Sequence, residues 1–219
     1  MPAALPTRGD VARTFDEIAG EFDRTRRTAW PEIVEFARTL PPRSRVADLG
    51  CGNGRHANLL ADGGHRVAGL DASVRLLEIA RERVPQASFV LGDVCALPFR
   101  DGTFSAAIAV ASIHHLPSEG ERLQALREVY RILEPGAPFL VTVWALERDA
   151  STPLRETRAA GPDPGDVWIP WRAGGREPMR FYHLFADGEL TRLLRASGLR
   201  LGRYFRSGDN YVAVAERHG

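Results

Sequence analysis

The stretch "VADLGCGNGRH", residues 46–56, decides the architecture of this 219-residue chain. Val46, Ala47 and Leu49 around Asp48 read as the end of a buried strand, and Gly50, Gly52 and Gly54 follow just before a run with helical spacing. Glycines at a strand-to-helix turn let the backbone bend sharply and approach a ligand closely, while the first helical turn offers unpaired N–H groups. Taken alone, this glycine spacing is a weak signal. It gains weight from a second strand that ends at Asp71, 23 residues after Asp48, where a carboxylate is placed to accept from ribose hydroxyls. A third strand ends in "GDV", residues 92–94, and brings Asp93 to the same crevice, where the carboxyl ends of parallel strands gather ligands.

Three acids around one crevice disfavour a pyrophosphate. They suit a cationic nucleoside such as S-adenosylmethionine, whose sulfonium and ammonium are positive and whose sugar and adenine supply hydrogen-bond donors. Singly, Asp71 and Asp93 are equally well explained as a helix cap or a turn residue. Beside the glycine loop that explanation loses force.

Working outward, apolar strands alternate with helical patterns, which indicates parallel βαβ units and an α/β fold. The strands read as 45–49, 65–71, 87–92, 104–112 and 138–145, and the helices between them as 55–64, 73–84 and 118–133, the last stopped by Pro135 and Gly136. A helical region at 8–40 precedes them, and a Pro-, Gly- and Arg-rich insertion at 146–180 interrupts the rhythm. A helix at 187–198 and two runs, "LRLGRYF" and "NYVAVAER", then form an antiparallel hairpin at one sheet edge. The whole of 1–219 reads as a single domain.

No apolar run is long enough to span a membrane, and the first residues lack the pattern of a secretory signal, so a cytoplasmic chain without a membrane partner is expected. Cys51 and Cys95 are neither paired nor near a zinc-type set of ligands, and no metal site is expected. All 29 basic side chains are arginine. A bias in codon usage explains this most simply, although arginine also suits phosphate and carboxylate recognition. A net charge of only +1 argues against non-specific coating of nucleic acid, and DNA is not an expected partner. From Arg172 to Arg206 eight arginines face three acids, a run that a solvated face accounts for most simply.

The motifs "VADLGCGNG", "GLDAS", "GDVCALPFRDGTFSAAIA", "IHHL" and "REVYRILEPGAPFLV" occur in the order that resembles the class I S-adenosylmethionine-dependent methyltransferases. Ser105 and Ala137 are mild departures, standing where relatives often carry Asp and Gly. The resemblance implies a Rossmann-like three-layer sandwich with a seven-stranded, mostly parallel sheet whose last strand is antiparallel. It implies that Asp48, Gly50, Cys51, Gly52 and Gly54 hold the methionine part of the cofactor, Asp71 and Ala72 the ribose, and Asp93 and Val94 the adenine edge. Ala111 would lie near the transferred methyl, with S-adenosylhomocysteine as product.

The acceptor should show after the fourth strand, where "SIHHLP" is neither the Asn/Asp-Pro-Pro pattern of amino methylation nor a placed cysteine nucleophile. Oxygen acceptors remain. A hydroxyl would need a base, which a histidine of pKa about 6.5 could supply, whereas a carboxylate is already ionised. Adjacent strand residues point to opposite faces, so one of His114 and His115 is expected to face the crevice as base, donor or wall, and the other to pack on the following helix. Both histidines capping the next turn or filling core is the competing account.

The segments "VARTFDEIAGEFDRTRRTAWPEIVEFARTL", "DVWIPW", "RFYHLFADGEL" and "DNYVAVAE" further resemble the tRNA wobble-uridine carboxymethyl methyltransferases. That resemblance places Arg26 by the active site, paired with the substrate or cofactor carboxylate, and Trp30, Trp171, Tyr182, His183 and Asn210 around the acceptor. Trp30 and Tyr182 suit a core equally well. It implies tRNA as partner, and a small zinc-binding activator protein covering an apolar sheet edge such as "ASFVLG", which a helix or a second copy would cover as well. A small-molecule O- or N-methyltransferase with 146–180 as its lid, and a cofactor-binding scaffold without an acceptor, are the alternatives.

Overall fold

Thr7 opens the first helix with a capping box: its side chain accepts from the Asp10 N–H, and the Asp10 carboxylate accepts from the Thr7 N–H. The computed structural model describes residues 5–147, 158–161, 163–171 and 177–219. After α1 (Arg8–Thr25) and α2 (Pro31–Thr39) come β1 (Arg45–Leu49), α3 (Arg55–Asp62), β2 (Arg66–Asp71), α4 (Val74–Arg83), β3 (Ser88–Leu91) and β4 (Ala106–Val110). Then follow α5 (Glu119–Ile132), β5 (Pro138–Trp144), β6 (Arg158–Ala159), β7 (Asp166–Pro170), β8 (Met179–His183), α6 (Glu189–Ala196), β9 (Leu199–Ser207) and β10 (Asn210–Arg217).

Seven strands form one sheet in the order β3-β2-β1-β4-β5-β10-β9. The pairs among β1 to β5 are parallel, and β10, last in the chain, runs antiparallel to both β5 and β9. Side chains alternate across it as a strand's period of two requires. Ala47, Leu49, Ala107, Ala109, Phe139 and Val141 join the core shared with Leu126, Val129 and Ile132 of α5 and Leu190, Leu193 and Leu194 of α6. Val46, Ala106, Ile108 and Leu140 face the opposite layer, with Ile33 and Phe36 of α2 and Leu60 of α3. The order reverses between β1 and β4, and ligands of such sheets bind at that switch point, beyond the strands' carboxyl ends.

Two sequence expectations change. The fourth strand stops at Val110 instead of reaching residue 112: Ala111 adopts a positive φ of 52°, and Ile113–His115 form a turn of 3-10 helix. His114 and His115 therefore do not alternate as strand residues would. The described part of the 146–180 insertion builds a second, antiparallel sheet in the order β6-β7-β8, which continues to His183. Residues 148–157, 162 and 172–176 of that segment, with Arg172 and Arg176 of the arginine run, lie outside the described residues. The small sheet is tied to the end of β5, where Phe185 N–H donates to the Trp144 carbonyl at 2.8 Å and Leu146 N–H to the Phe185 carbonyl at 2.7 Å. Its core of Val167, Ile169, Tyr182 and Leu184 packs on Trp144 and Leu146.

Candidate active site

The glycine loop is built by close approach. Gly50 and Cys51 N–H groups both donate to the Leu70 carbonyl, at 2.7 and 3.0 Å, folding the loop over the end of β2. Gly50 has φ of 74°, and a Cβ there would lie 2.3 Å from the Ser112 Cβ, so only glycine fits. Gly52 N–H donates to the Asp71 carboxylate at 2.7 Å, and the other Asp71 oxygen accepts from Ser73 N–H at 2.9 Å. Gly54, also at positive φ, caps α3 and packs on Ala80, where a Cβ would come within 3.1 Å. Cys51 is buried, its thiol pushed up by burial and the nearby carboxylates.

Asp48 is 1% exposed and neither carboxylate oxygen has a hydrogen-bond partner. Burial, reinforced by Asp71, pushes its pKa up to about 7. A buried carboxylate without a partner is costly, and a cation arriving beside it removes that cost. The residues present thus fit a ligand that carries an ammonium group.

In front of the loop lies a cavity of about 630 Å³. Gly50, Gly52, Asp71, Ala72, Asp93, Val94, Ala111, Arg26, Trp30, His114, His115 and Tyr182 line it, together with Phe15 and Phe22 of α1, Ser112, Leu91, Trp144 and Arg180, which sequence reasoning did not assign to the site. Asp48, Cys51, Gly54, Trp171, His183 and Asn210 do not line it. Three fastenings hold α1 over one side. Arg8 pairs with Asp93 at 2.8 Å and Glu121 at 3.0 Å; Asp16 accepts from Ser73 Oγ at 2.6 Å and Arg75 N–H at 3.0 Å; Asp23 pairs with Arg83 and accepts from Asn53.

Both histidines reach this cavity, with ring centroids 4.5 Å apart, and their hydrogen bonds assign opposite tautomers. His115 Nδ1 lies 2.8 Å from the Phe181 carbonyl, which can only accept, so Nδ1 carries the proton and Nε2 the lone pair. Burial, aided by the Arg180 charge, brings the His115 pKa down to about 3, against the opposing pull of that carbonyl. His114 Nδ1 instead accepts the Trp144 N–H at 3.1 Å, leaving the proton on its Nε2. The Tyr182 ring meets both imidazoles, at 5.0 and 4.4 Å, and stacks on Trp144 at 4.5 Å.

Trp171 stands behind this wall, with the guanidiniums of Arg180 and Arg26 at 4.6 and 5.6 Å from its ring centre. Trp30 carries the Arg55 guanidinium at 5.4 Å and meets His56 edge-on. His183 is held elsewhere: it is buried, with Nδ1 2.7 Å from Asp166 and Nε2 2.8 Å from Glu189. Burial opposes its charge, but the hydrogen bonds to Glu189 and Asp166 prevail and raise its pKa. Asp163, Asp166 and His183 come within reach of a common ion, yet both ring nitrogens already meet carboxylates, the arrangement of a protonated imidazole. Asn210 sits opposite Trp144 on β10, its Oδ1 buried without a partner.

A sheet of this order, with a glycine loop at its switch point backed by an unpaired acid, is the architecture of the Rossmann-like S-adenosylmethionine-dependent methyltransferases, and residues 47–141 match the family described as "Methyltransferase domain". Solved structures agree on the fold. A methyltransferase of Methanosarcina mazei superposes with TM-score 0.70 at 21% identity, covering 87% of this chain and 99% of that one. A Haloferax volcanii putative methyltransferase, solved in complex with the Trm112 methyltransferase activator, gives 0.73 at 19% identity, covering 95% and 98%. The Schizosaccharomyces pombe tRNA (carboxymethyluridine(34)-5-O)-methyltransferase is 33% identical over 228 residues, covering 95% of this chain and 96% of its own. The chain therefore belongs to the tRNA (carboxymethyluridine(34)-5-O)-methyltransferase family. The Xenopus tropicalis protein of the same name is 32% identical across 99% of this chain, which spans only 42% of that longer protein.

Proposed function

We propose that this chain esterifies the carboxylate of a carboxymethyl group on carbon 5 of the wobble uridine of cytoplasmic tRNA. The observation that carries this reading is the neutral His115: a base of pKa about 3 is too weak to take a proton from a hydroxyl, so the acceptor suits the site if it arrives already ionised. Membership of the family, and the fission-yeast relative aligned along nearly the whole chain, supply the tRNA.

When bound, S-adenosylmethionine supplies an electrophilic methyl group. Asp48, buried behind the glycine loop, would offset the charge of its ammonium without lining the cavity, while the loop would hold its methionine backbone, Asp71 and Ala72 the ribose, and Asp93 and Val94 the adenine. Ala111, Ser112 and the two imidazoles form the wall between cofactor and acceptor. The carboxylate needs orientation and exclusion of water rather than a base, and aromatic faces around an extruded uracil supply both. His114, with Nε2–H, is the donor of the histidine pair, and His115 Nε2 the acceptor.

β3 is an edge of the main sheet, and Leu91 on it is 53% exposed while also lining the cavity. A small activator protein adding to this edge would close the cofactor side. The Haloferax volcanii neighbour, solved together with the Trm112 activator, supports a partner of this kind. Co-purification with such a protein, lost in Leu91→Arg, tests this; an unchanged yield of complex would remove the edge from the account.

The acceptor is tested with methyl-labelled S-adenosylmethionine and tRNA from cells lacking this protein. Label in one uridine derivative, released by mild alkali as methanol, is the expected result. Label that resists alkali, or that enters only small molecules, would overturn the reading.

A further inference from the structure

Among the described residues, Arg180 is a buried cation that no acid pairs with. It sits on β8, is 7% exposed, and lines the cavity. Its Nη1 donates to the Tyr182 hydroxyl at 2.5 Å, its plane lies 4.6 Å from the centre of Trp171 and 5.1 Å from that of Tyr182, and its Nε is buried without any partner. No carboxylate among the described residues pairs with it. Besides burial itself and the Tyr182 phenol, the group that bears on it is another guanidinium, Arg26, and it does so unfavourably. Stacking on aromatic faces offsets only part of the cost of burying a guanidinium, and a lone phenol oxygen cannot neutralise it. Several other buried or half-buried arginines have acids beside them: Arg83 has Asp23, Arg131 has Glu128, and Arg122 lies in the field of Glu189 and Asp166.

We propose that Arg180, with Arg26 across the shared ring of Trp171, is the receptor for the acceptor's negative charge, and that the enzyme distinguishes acid from ester through it. This rests on the reading above and deepens it. The guanidinium fork matches a carboxylate in two parallel hydrogen bonds, which an amide or an ester cannot reproduce. One carboxylate oxygen forms the new bond to the methyl carbon as the sulfur–carbon bond breaks, the electron pair staying on sulfur. The product is uncharged, so the reaction itself abolishes what the receptor holds. Arg180 then selects the substrate and favours departure of the product at the same contact. Neutral 5-substituents of similar size, such as the carbamoylmethyl group, are rejected because they leave the guanidinium buried without a counter-charge.

The test uses the full chain loaded with S-adenosylhomocysteine and anticodon-arm RNAs carrying 5-carboxymethyluridine, its methyl ester or its amide, with binding read by tryptophan fluorescence. The wild type is expected to bind the acid about 30-fold more tightly than ester or amide. Arg180→Gln should bring the three affinities together and raise KM for the acid far more than it lowers kcat, with cofactor affinity unchanged; Arg180→Lys should restore part of the preference. Equal binding of acid, ester and amide by the wild type overturns the proposal without any variant, and so does an Arg180→Gln protein that keeps the preference. Should the wild type fail to label tRNA at all, the tRNA reading falls by itself. The receptor is then judged on phenylacetate against methyl phenylacetate: a preference for the acid that Arg180→Gln abolishes sustains it, and none overturns it.

Discussion

The His115 imidazole donates through Nδ1 to the main-chain carbonyl of Phe181, at 2.8 Å, and so ties the turn after β4 to the middle of β8. One hydrogen bond thereby fixes a tautomer, a ring orientation and the distance between the two sheets. Burial brings its pKa down to about 3, so His115 is neutral between pH 5.5 and 8.5. The rate of transfer should accordingly show no limb near pH 6.5, measured as kcat from pH 5.5 to 8.5 at saturating cofactor. His115→Ala should lower kcat by roughly 100-fold through lost positioning, with cofactor affinity retained. A rising limb at pH 6–7 that disappears in the variant would show His115 to be a base after all.

Asp48 gives a different pH signature. Its folded pKa, about 7, lies above the ordinary carboxylate value, so the apo-protein is favoured at low pH and loses that advantage as pH rises toward 7. A ligand's ammonium group reverses the balance by stabilising the ionised form. S-adenosylhomocysteine should bind more tightly at pH 8 than at pH 5.5, releasing a proton at the lower pH that calorimetry in buffers of different ionisation enthalpy detects. Asp48→Asn should abolish both effects while raising the apo-protein's melting temperature at pH 8, each unit of relieved shift counting for about 1.4 kcal/mol.

At Gly50 the expectation is steric. The Cβ of Gly50→Ala would fall 2.3 Å from that of Ser112, whose hydroxyl donates to the Leu49 carbonyl at 2.9 Å, so neither side can yield cheaply. The positive φ adds about 1–2 kcal/mol. Loss of cofactor binding with a lowered melting temperature is expected, whereas Gly64→Ala, which meets nothing within 4 Å, should carry only the backbone strain of its own positive φ and keep cofactor binding.

The cofactor half was legible because its signals are local: a glycine spacing, an acid at a strand end, and period-two apolar runs each bear on their own neighbours. Asp71 and Asp93 could be placed from distance along the chain alone. The acceptor half was legible only through the family resemblance, which named Arg26, Trp30 and Tyr182 among the residues that line the cavity, since its parts come from segments far apart. Arg180 lay inside a basic run that reads as a solvated face, and only the shape of β8 shows it to be buried. The two histidines looked like strand residues, and nothing in "VASIHH" announces that Ala111 takes a positive φ and turns the chain. His183 was assigned to the acceptor, yet Asp166, 17 residues earlier, and Glu189, six later, hold both its nitrogens. No spacing rule would have found that pair. The contribution of α1 to the cavity depends on Asp16 and Asp23, acids of an ordinary amphipathic helix.

The His183 node predicts a loss of stability on the alkaline side. A histidine whose folded pKa is raised contributes fully below its unfolded pKa of about 6.5, and the contribution fades as pH climbs through the folded value. The difference in melting temperature between wild type and His183→Gln should therefore shrink from pH 6 to pH 9. A constant difference would mean that the ring packs as a neutral group.

The fastenings of α1 differ in their exposure to solvent. The Arg8 and Asp93 side chains are 42% and 37% exposed, those of Arg83 and Asp23 only 21% and 17%. Ions in solution screen the first pair far more than the second, so ionic strength acts unevenly along the helix, loosening the end beside Asp93 while the Asp23 end stays seated. Release of S-adenosylhomocysteine should quicken as sodium chloride is raised, and Arg8→Ala should release it fast at every concentration. Salinity then sets how long the spent cofactor stays.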